Sequence, residues 1–209
     1  MSNYLLFPTN FVWWDTVENH LDIKEKYLKR IEQSKSKIGK KQNWDCDVVS
    51  SFGNQYINDS IFDKYFRDNV IWKYFDRMLE KKPFEFDTPH SSIVRDIWYN
   101  TYTRGQYQEI HTHDYVSSYS SELKIKTMGM FSGIYLIDLQ EINKTVFYQQ
   151  GPLPCRVNTD GMYVKSDHLT EGTIILFPST LAHYVLPTEK SRTTVSFNIT
   201  SSYSYYESS

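Results

Sequence analysis

Two histidines separated by a single residue are the feature of this 209-residue sequence with the clearest chemical meaning. They are His111 and His113, within the motif Gln-Glu-Ile-His-Thr-His-Asp. In an extended strand alternate side chains point to the same side, so both imidazoles can reach one metal ion. A His-x-His pair is also found on surfaces and in ordinary hydrogen-bonded strands, and that alternative stays open at this point.

A third histidine and an arginine follow later in the chain. His183 comes after an apolar strand and a tight turn at Phe177-Pro178-Ser179, and Arg192 lies nine residues further on. By itself His183 could be a hydrogen-bonded core histidine. An arginine is not a metal ligand, but its planar guanidinium suits the bidentate binding of a carboxylate. The order His-x-His, His, Arg therefore favours a metal ion beside an anchored dicarboxylic acid.

The elements that must position these side chains lie after Pro89, where the apolar pattern has a period of two. Short runs rich in Ile, Val, Tyr, Phe and Thr alternate with turn residues. Their number and spacing predict a barrel or a double-sheet jelly roll. The predicted strands are 93–103, 106–112, 131–138, 144–149, 162–165, 172–177, 181–187 and 192–200.

The last predicted strand has two unlike faces. One face carries Arg192, Thr194, Ser196 and Asn198, and the other carries Thr193, Val195, Phe197 and Ile199. The apolar face must pack on something, and we expect N-terminal helices to cover it. The polar row would then face the barrel interior, where an arginine is costly unless it binds something. An edge strand with one hydrated face is the alternative.

The first ninety residues show helical spacing instead. Apolar residues recur at three-, four- and seven-residue intervals over 15–39, and Gly39 is placed to end that helix. A wide apolar stripe predicts a second helix over 58–81, before Pro83. Residues 43–51 between them are predicted to form a loop or a short strand.

Length and composition exclude several classes of protein. A chain with 40% hydrophobic and 16% aromatic residues can bury one sizeable core, so we expect a single domain. The net charge of -2 gives no general attraction to nucleic acid or to anionic membranes. Cys46 and Cys155 fit no zinc-binding or disulfide spacing, which favours a reducing, cytoplasmic compartment. No signal sequence or membrane-spanning segment is expected.

Taken together, these features resemble the small 2-oxoglutarate- and Fe(II)-dependent oxygenases found in marine phages and bacteria. The resemblance covers nearly the whole chain and is more specific than any one motif. It rests on Leu6-Phe7-Pro8, Trp44-Asp45-Cys46-Asp47-Val48 with Ser51, Trp98-Tyr99-Asn100 with Gly105, the histidine pair, Ser132-Gly133-Ile134-Tyr135-Leu136, Val146-Phe147-Tyr148, and the segments 172–178, 183–187 and 192–198.

The resemblance implies a double-stranded β-helix, a cupin-like jelly roll with a mononuclear iron near one open end. The expected fold class is mainly β with N-terminal helices (α+β), a barrel covered by helices. Within a single domain of residues 1–209, we expect a helical cover over 1–90, the double-stranded β-helix core over 91–200 and a tail over 201–209.

The resemblance also implies a ligand set for the iron. The wider superfamily has His-x-Asp or His-x-Glu as its first motif, giving two histidines and one carboxylate. Position 113 is histidine here, and the branch that this chain resembles carries His-x-His, so the implied ligands are His111, His113 and His183. Asp114 is out of phase with His111 and could replace His113 only if a bulge turned it inward. That alternative stays open.

The implied chemistry uses 2-oxoglutarate as cosubstrate. Its 1-carboxylate and 2-oxo group would chelate the iron, and its far carboxylate would pair with Arg192. Thr194 or Tyr135 would add a hydroxyl hydrogen bond, and Asn100 is a polar partner for cosubstrate or substrate. Dioxygen and 2-oxoglutarate would be consumed, succinate and carbon dioxide released, and a C–H bond hydroxylated, as in prolyl hydroxylases. No catalytic residue beyond the metal site is expected.

Substrate, partners and two rival functions are left open. We expect a small molecule or a peptide as substrate, and both a monomer and a homodimer stay open as the oligomeric state. Location in the host cytoplasm is expected if a phage encodes the chain.

The segment 114–131 is longer than the family leads us to expect, and forms either a mobile lid or a surface hairpin. The rivals are a cupin-like three-histidine metal protein without 2-oxoglutarate and a non-catalytic jelly roll in a phage particle.

Overall fold

A computed structural model describes residues 11–38, 48–81, 89, 91–113, 118–120, 125–149, 162–166 and 168–204. Two antiparallel sheets and a group of helices make up these residues. The strands are β1 (Trp13–Thr16), β2 (Val49–Ser50), β3 (Ser91–Tyr102), β4 (Gln108–His111), β5 (Ser118–Ser120), β6 (Ile125–Leu139), β7 (Thr145–Gln149), β8 (Met162–Lys165), β9 (Thr173–Pro178), β10 (Ala182–Val185) and β11 (Arg192–Ser204).

The helices all come before the long strands. They are α1 (His20–Lys35), α2 (Gln55–Ile61), α3 (Lys64–Phe66), a π-helical segment (Arg67–Trp72) and α4 (Lys73–Glu80). Asp63 separates α2 from α3, because its side chain accepts a hydrogen bond from the backbone N–H of Phe66 and so caps the new helix. Among the residues described, no helix is both long and apolar enough to cross a membrane.

The strands form a large and a small sheet. The large sheet has the order β1-β9-β6-β11-β3-β2, with β5 pairing with the beginning of β6. The small sheet has the order β4-β10-β7-β8. Six of the nine neighbouring pairs of described strands are not consecutive in sequence, as the crossovers of a jelly roll require.

Three layers follow from where the apolar residues lie. One core cluster joins the helices to the outer face of the large sheet, and includes Tyr27, Phe66 and Phe75 on the helices and Val195, Phe197 and Ile199 on β11. A second, smaller cluster lies between the two sheets, for example Leu136 of β6 against Phe147 of β7. The prediction that helices cover the apolar face of the last strand is therefore confirmed.

All eight predicted strands are present, and the mainly β fold class with N-terminal helices is confirmed. The first helix begins at His20 rather than at residue 15, because residues 13–16 pair with β9 as β1. The second predicted helix is divided at Phe62 and Asp63. The last strand continues to Ser204, so residues 201–204 are not part of a separate tail.

The insertion after the histidine pair contains a hairpin. Ser118–Ser120 pairs antiparallel with residues 125–127 at the beginning of β6. This agrees with the surface-hairpin alternative as far as backbone pairing goes. Residues 114–117 and 121–124 lie outside the described part of the chain, and so does the prediction that a bulge could bring Asp114 into the site.

Candidate metal centre

The three predicted histidines come together at one end of the small sheet. His111 ends β4, His113 follows two residues later, and His183 lies on β10 directly opposite His111 in the strand register. One ligand nitrogen from each lies within 4.8 Å of the others, and the ring centroids are 4.3 to 5.5 Å apart. One ion could bind all three after small side-chain adjustments.

A β-bulge helps to place His111. His183 pairs with His111 and Val185 pairs with Gln108, so two residues on β4 lie opposite Tyr184 alone. Because of this extra residue, Gln108 and His111 both face the interior although they are three positions apart. Bulges next to sites commonly redirect a side chain in this way.

Backbone carbonyls fix the orientation of two of the rings. The Nδ1 atom of His111 lies 2.7 Å from the carbonyl oxygen of Glu109, and that of His183 lies 3.1 Å from the carbonyl oxygen of Leu181. A carbonyl oxygen only accepts hydrogen bonds, so each Nδ1 carries the proton and donates. The Nε2 lone pair of each ring is then left for a metal ion.

The protonation state of the rings also suits a cation. Burial lowers the pKa of His111 to about 4. Burial, followed by the neighbouring His111 and His113, lowers the pKa of His183 well below its usual value. Neutral imidazole is the form that binds metal, so near neutral pH both rings are ready to act as ligands.

Arg192 lines the same cleft as the three histidines, and its side chain is buried, with 1% exposure. Its Nη2 donates to the hydroxyl oxygen of Thr145 at 3.3 Å, and its guanidinium lies 5.2 Å from the ring centroid of Tyr102. Its Nε and Nη1 have no hydrogen-bond partner among the described residues. Burial lowers the pKa of Arg192. A buried guanidinium with two unsatisfied nitrogens is suited to receive an anion.

The polar row of the last strand faces this cleft, as its alternation predicts. Arg192, Thr194 and Ser196 line it together with Asn100 of β3. Asn100 is hydrogen-bonded through Nδ2 to Ser196 at 3.3 Å, and its Oδ1 is buried without a partner in the described structure. The complete lining is Trp98, Asn100, Tyr102, Gln108, His111, His113, Ile134, Thr145, His183, Val185, Arg192, Thr194 and Ser196.

Tyr135 is not among the residues that line the cleft, contrary to the expectation that its hydroxyl contacts the cosubstrate. It pairs with Val195 in the register and so belongs to the face that packs against the helices. Its hydroxyl lies 2.6 Å from Nδ1 of His20, on α1. Successive side chains of a strand point to opposite faces of the sheet. Ile134, the residue before Tyr135, therefore lines the cleft instead.

Several cleft residues were given no role in the site from the sequence, Thr145, Tyr102 and Gln108 among them. Thr145 begins β7 and supplies the acceptor for Arg192, while Tyr102 and Gln108 are linked by a 3.0 Å hydrogen bond beside it. Tyr102 could have been found, because it pairs with Arg192 at the end of a strand with clear alternation. Thr145 comes from the other sheet, and no local pattern connects it to Arg192.

The cleft that these residues line is partly open to solvent. Three imidazole rings lie in one part of it and the buried guanidinium of Arg192 in another. The arrangement can hold a divalent metal ion together with a small anion that carries a second carboxylate.

Comparison with known proteins agrees with this geometry. Residues 96–198 match the family described as "Putative 2OG-Fe(II) oxygenase", a segment that contains all three histidines and Arg192. No curated protein has a sequence that matches the chain.

Solved structures show the same fold at low identity. A prolyl hydroxylase from Trichoplax adhaerens, in complex with a peptide fragment of the hypoxia inducible factor oxygen degradation domain, is 10% identical with a TM-score of 0.54. The match covers 91% of this chain and 82% of that one. A prolyl-4-hydroxylase from Pseudomonas putida is 9% identical with a TM-score of 0.53, and the match covers 92% and 93%.

A third structure, HygX from Streptomyces hygroscopicus with nickel, 2-oxoglutarate and hygromycin B bound, is 9% identical with a TM-score of 0.53. That match covers 92% of this chain and 83% of HygX. These neighbours share the double-stranded β-helix fold. Segment 96–198 belongs to the family of 2OG-Fe(II) oxygenases, oxidoreductases whose metal is Fe(II) and whose cosubstrate is 2-oxoglutarate.

Proposed function

We propose that this enzyme is a dioxygenase that hydroxylates a C–H bond of its substrate, with His111, His113 and His183 as the ligands of Fe(II). The observation that carries the proposal is the buried, unpaired Arg192 in the same cleft as three converging histidines. A metal site alone does not need a second, costly cation nearby. A dicarboxylate that bridges the metal and the arginine explains both.

Arg192 binds the far carboxylate of 2-oxoglutarate in this proposal. Its Nε and Nη1 are the donors without a partner, and each shares one edge of the guanidinium with Nη2, so both edges keep a donor for a carboxylate oxygen. Thr145 holds Nη2 and so fixes the rotation of the guanidinium plane. Thr194 and Asn100, on the same cleft wall, contribute polar contacts to the cosubstrate or the substrate.

The bound iron supplies the redox chemistry that couples oxidative decarboxylation of 2-oxoglutarate to oxidation of the substrate. The residues of the chain position the reactants and exclude water. Apolar residues, Ile134 and Val185 among them, line the same cleft as the histidines and Arg192. The Trp98 ring lies 5.7 Å from the His113 ring and shields that side of the site.

The substrate class that we propose is a small molecule or a peptide. Of the structures with this fold, the Trichoplax enzyme was solved with a peptide and HygX with hygromycin B, so the fold accommodates both. Prolyl-hydroxylase-like chemistry is the form of hydroxylation that we favour, because two of these structures are prolyl hydroxylases. We place the enzyme in the cytoplasm, or in the host cytoplasm if a phage encodes it, as a single domain.

The two rival functions are less well supported. A cupin-like protein without 2-oxoglutarate would pair Arg192 with an internal carboxylate or expose it, yet Arg192 is buried and no carboxylate in the described residues lies within ion-pair distance. A silent jelly roll would have separated histidines or a filled cavity. The histidines converge beside open space.

Turnover without the natural substrate tests the proposal. Purified enzyme with Fe(II), ascorbate, oxygen and 2-oxoglutarate is expected to form succinate slowly, because these enzymes decarboxylate the cosubstrate even when uncoupled. His183→Ala should abolish succinate formation. Equal succinate formation by the wild type and His183→Ala would contradict the proposed ligand set, and none by either would contradict the proposed use of 2-oxoglutarate.

A further inference from the structure

His113 is held differently from the other two histidines. Its Nδ1 atom lies 2.6 Å from the side-chain Oδ1 of Asn198 and 2.9 Å from the hydroxyl of Ser132. Its backbone N–H donates to the carbonyl oxygen of Ser179 at 2.9 Å. The other two rings use backbone carbonyls of their own strand region, whereas His113 depends on side chains from the large sheet.

The amide of Asn198 has only one orientation that satisfies its neighbours. Its Nδ2 faces a carboxylate oxygen of Asp96 at 3.4 Å, which can only accept. Its Oδ1 therefore faces His113 and also accepts from the hydroxyl of Ser132 at 2.9 Å. Ser132 in turn lies 2.7 Å from the hydroxyl of Ser179. The strand register supports this arrangement, since Asn198 lies opposite Asp96 on β3 and Ser132 on β6.

An amide oxygen at this place requires a donor from position 113. A histidine provides one through its Nδ1–H, and its Nε2 lone pair then faces the cleft. An aspartate, the residue usual at this place in the wider superfamily, is ionised near neutral pH and has only acceptor oxygens. It would place two acceptors against each other and would reach less far into the cleft. The surroundings of position 113 are thus matched to histidine in hydrogen-bond polarity.

We propose that Asn198 is a positioning residue for the metal site, which sets the proton and the ring orientation of His113 so that Nε2 faces the ion. The amide of Asn198 is itself held by Asp96 and Ser132. This inference depends on the proposed function, because it takes His113 to be a ligand. It adds that the three-histidine set is specified by the large sheet and not only by the His-x-His motif.

Binding of Co(II), followed by its visible ligand-field absorption, tests the role of Asn198 without any turnover. Asn198→Leu keeps the approximate volume but removes the acceptor, and should weaken Co(II) binding about 10–100-fold and change the spectrum. Asn198→Asp combined with Asp96→Asn keeps an acceptor oxygen facing His113 and reverses the donor and acceptor of the contact with position 96, and should restore affinity to about the wild-type value. Thr193→Val is the matched control, because it removes a buried hydrogen bond to Thr101 on the same strand pair without touching a histidine.

The tautomer of His113 provides a second measurement that needs no metal and no variant. Nitrogen-15 NMR of the metal-free wild type should show His113 protonated at Nδ1, and protonation at Nε2 would overturn the inference even if Asn198→Leu failed to fold. Wild-type affinity and an unchanged Co(II) spectrum in Asn198→Leu would also overturn it. If the wild type itself does not bind Co(II) and His183→Ala makes no difference, the proposed function fails rather than this inference.

Discussion

At the scale of single residues, the site combines groups that are unfavourable without a ligand. Arg192 is buried with two unsatisfied nitrogens, and the nearby rings of His111 and His183 are kept neutral by burial. Each group loses hydration on folding, and Nε and Nη1 of Arg192 gain no hydrogen bond in return within the described residues. A metal ion and a dicarboxylate would compensate all of them together, so ligand binding should increase stability more than is usual for a preformed site.

Replacing Arg192 should separate cosubstrate binding from folding. In Arg192→Met the far carboxylate of 2-oxoglutarate loses its partner, which costs roughly 2–5 kcal/mol, or about 30-fold or more in affinity. The metal-free variant should be as stable as the wild type or more so, since an unpaired buried charge has been removed. Anaerobic calorimetry with 2-oxoglutarate and thermal unfolding measure the two effects.

Arg104→Met, at an exposed turn position, is the control for Arg192→Met and should change neither quantity. If Arg192→Met binds 2-oxoglutarate with wild-type affinity, Arg192 is not the carboxylate partner.

The pKa of His111 predicts how the metal-free protein responds to acid. In the unfolded chain this histidine takes up a proton near pH 6.5, whereas in the folded state it does so only near pH 4. The unfolded state therefore binds more protons between these values, and the free energy of unfolding must fall as the pH is lowered. His111 alone contributes about 2 kcal/mol to the loss between pH 7 and pH 5, and His183 adds to it in the same direction.

Urea unfolding of the metal-free protein at pH 7 and pH 5 measures this loss. His111→Leu should show a clearly smaller difference between the two pH values than the wild type. Equal pH dependence in both proteins would mean that the ring of His111 is not held neutral by the fold.

At the scale of elements, the contact between β6 and β11 supports the site from behind. Gly133 of β6 pairs with Phe197 of β11, and the Phe197 ring lies over Gly133 on the helix-facing side. Adjacent residues on the same two strands, Ile134 and Ser196, line the cleft on the other side. Because Gly133 has no side chain, the ring of Phe197 can pack directly on β6. This contact also helps to fix the register between β6 and β11.

A methyl group at position 133 should disturb this contact. The added Cβ of Gly133→Ala would overlap the ring of Phe197, which is fully buried and cannot move outward. We expect a loss of roughly 1–3 kcal/mol in unfolding free energy, as for other overpacked cores. Combining it with Phe197→Leu should recover part of that loss, so the two substitutions should be non-additive in a double-mutant cycle. Strict additivity in urea unfolding would contradict the contact.

The sequence predicted the elements with a strong local pattern and missed those that depend on distant partners. Alternation identified β3 and β11, and the phase of β11 correctly placed Arg192 and Thr194 in the cleft. β1 is only four residues long, and it is a strand because it pairs with β9, about 160 residues later. No local pattern marks it, so the helix predicted for the residues that follow extended into β1. Tyr135 was assigned by residue type without regard to strand phase, and phase decides the face.

At the scale of the whole molecule, the packing core and the proposed site lie on opposite faces of the large sheet. The helices and the outer face of the large sheet hold most of the buried aromatic residues, including Tyr27, Phe62 and Phe66. The chemistry lies on the opposite face, in the cleft between the two sheets. The aromatic surplus in the composition is therefore mainly a packing feature, with Trp98 and Tyr102 as the aromatic residues that line the cleft.

One ion on three histidines and one dicarboxylate on Arg192 share this cleft in the function that we propose. Anaerobic titration of the protein with Fe(II) and 2-oxoglutarate tests it most directly, because a 2-oxo acid chelated to Fe(II) gives a weak visible charge-transfer band. We predict a band that saturates at one equivalent of Fe(II) in the wild type and is absent in His183→Ala. A wild-type protein that shows no band, or a His183→Ala variant that keeps it, would contradict the account.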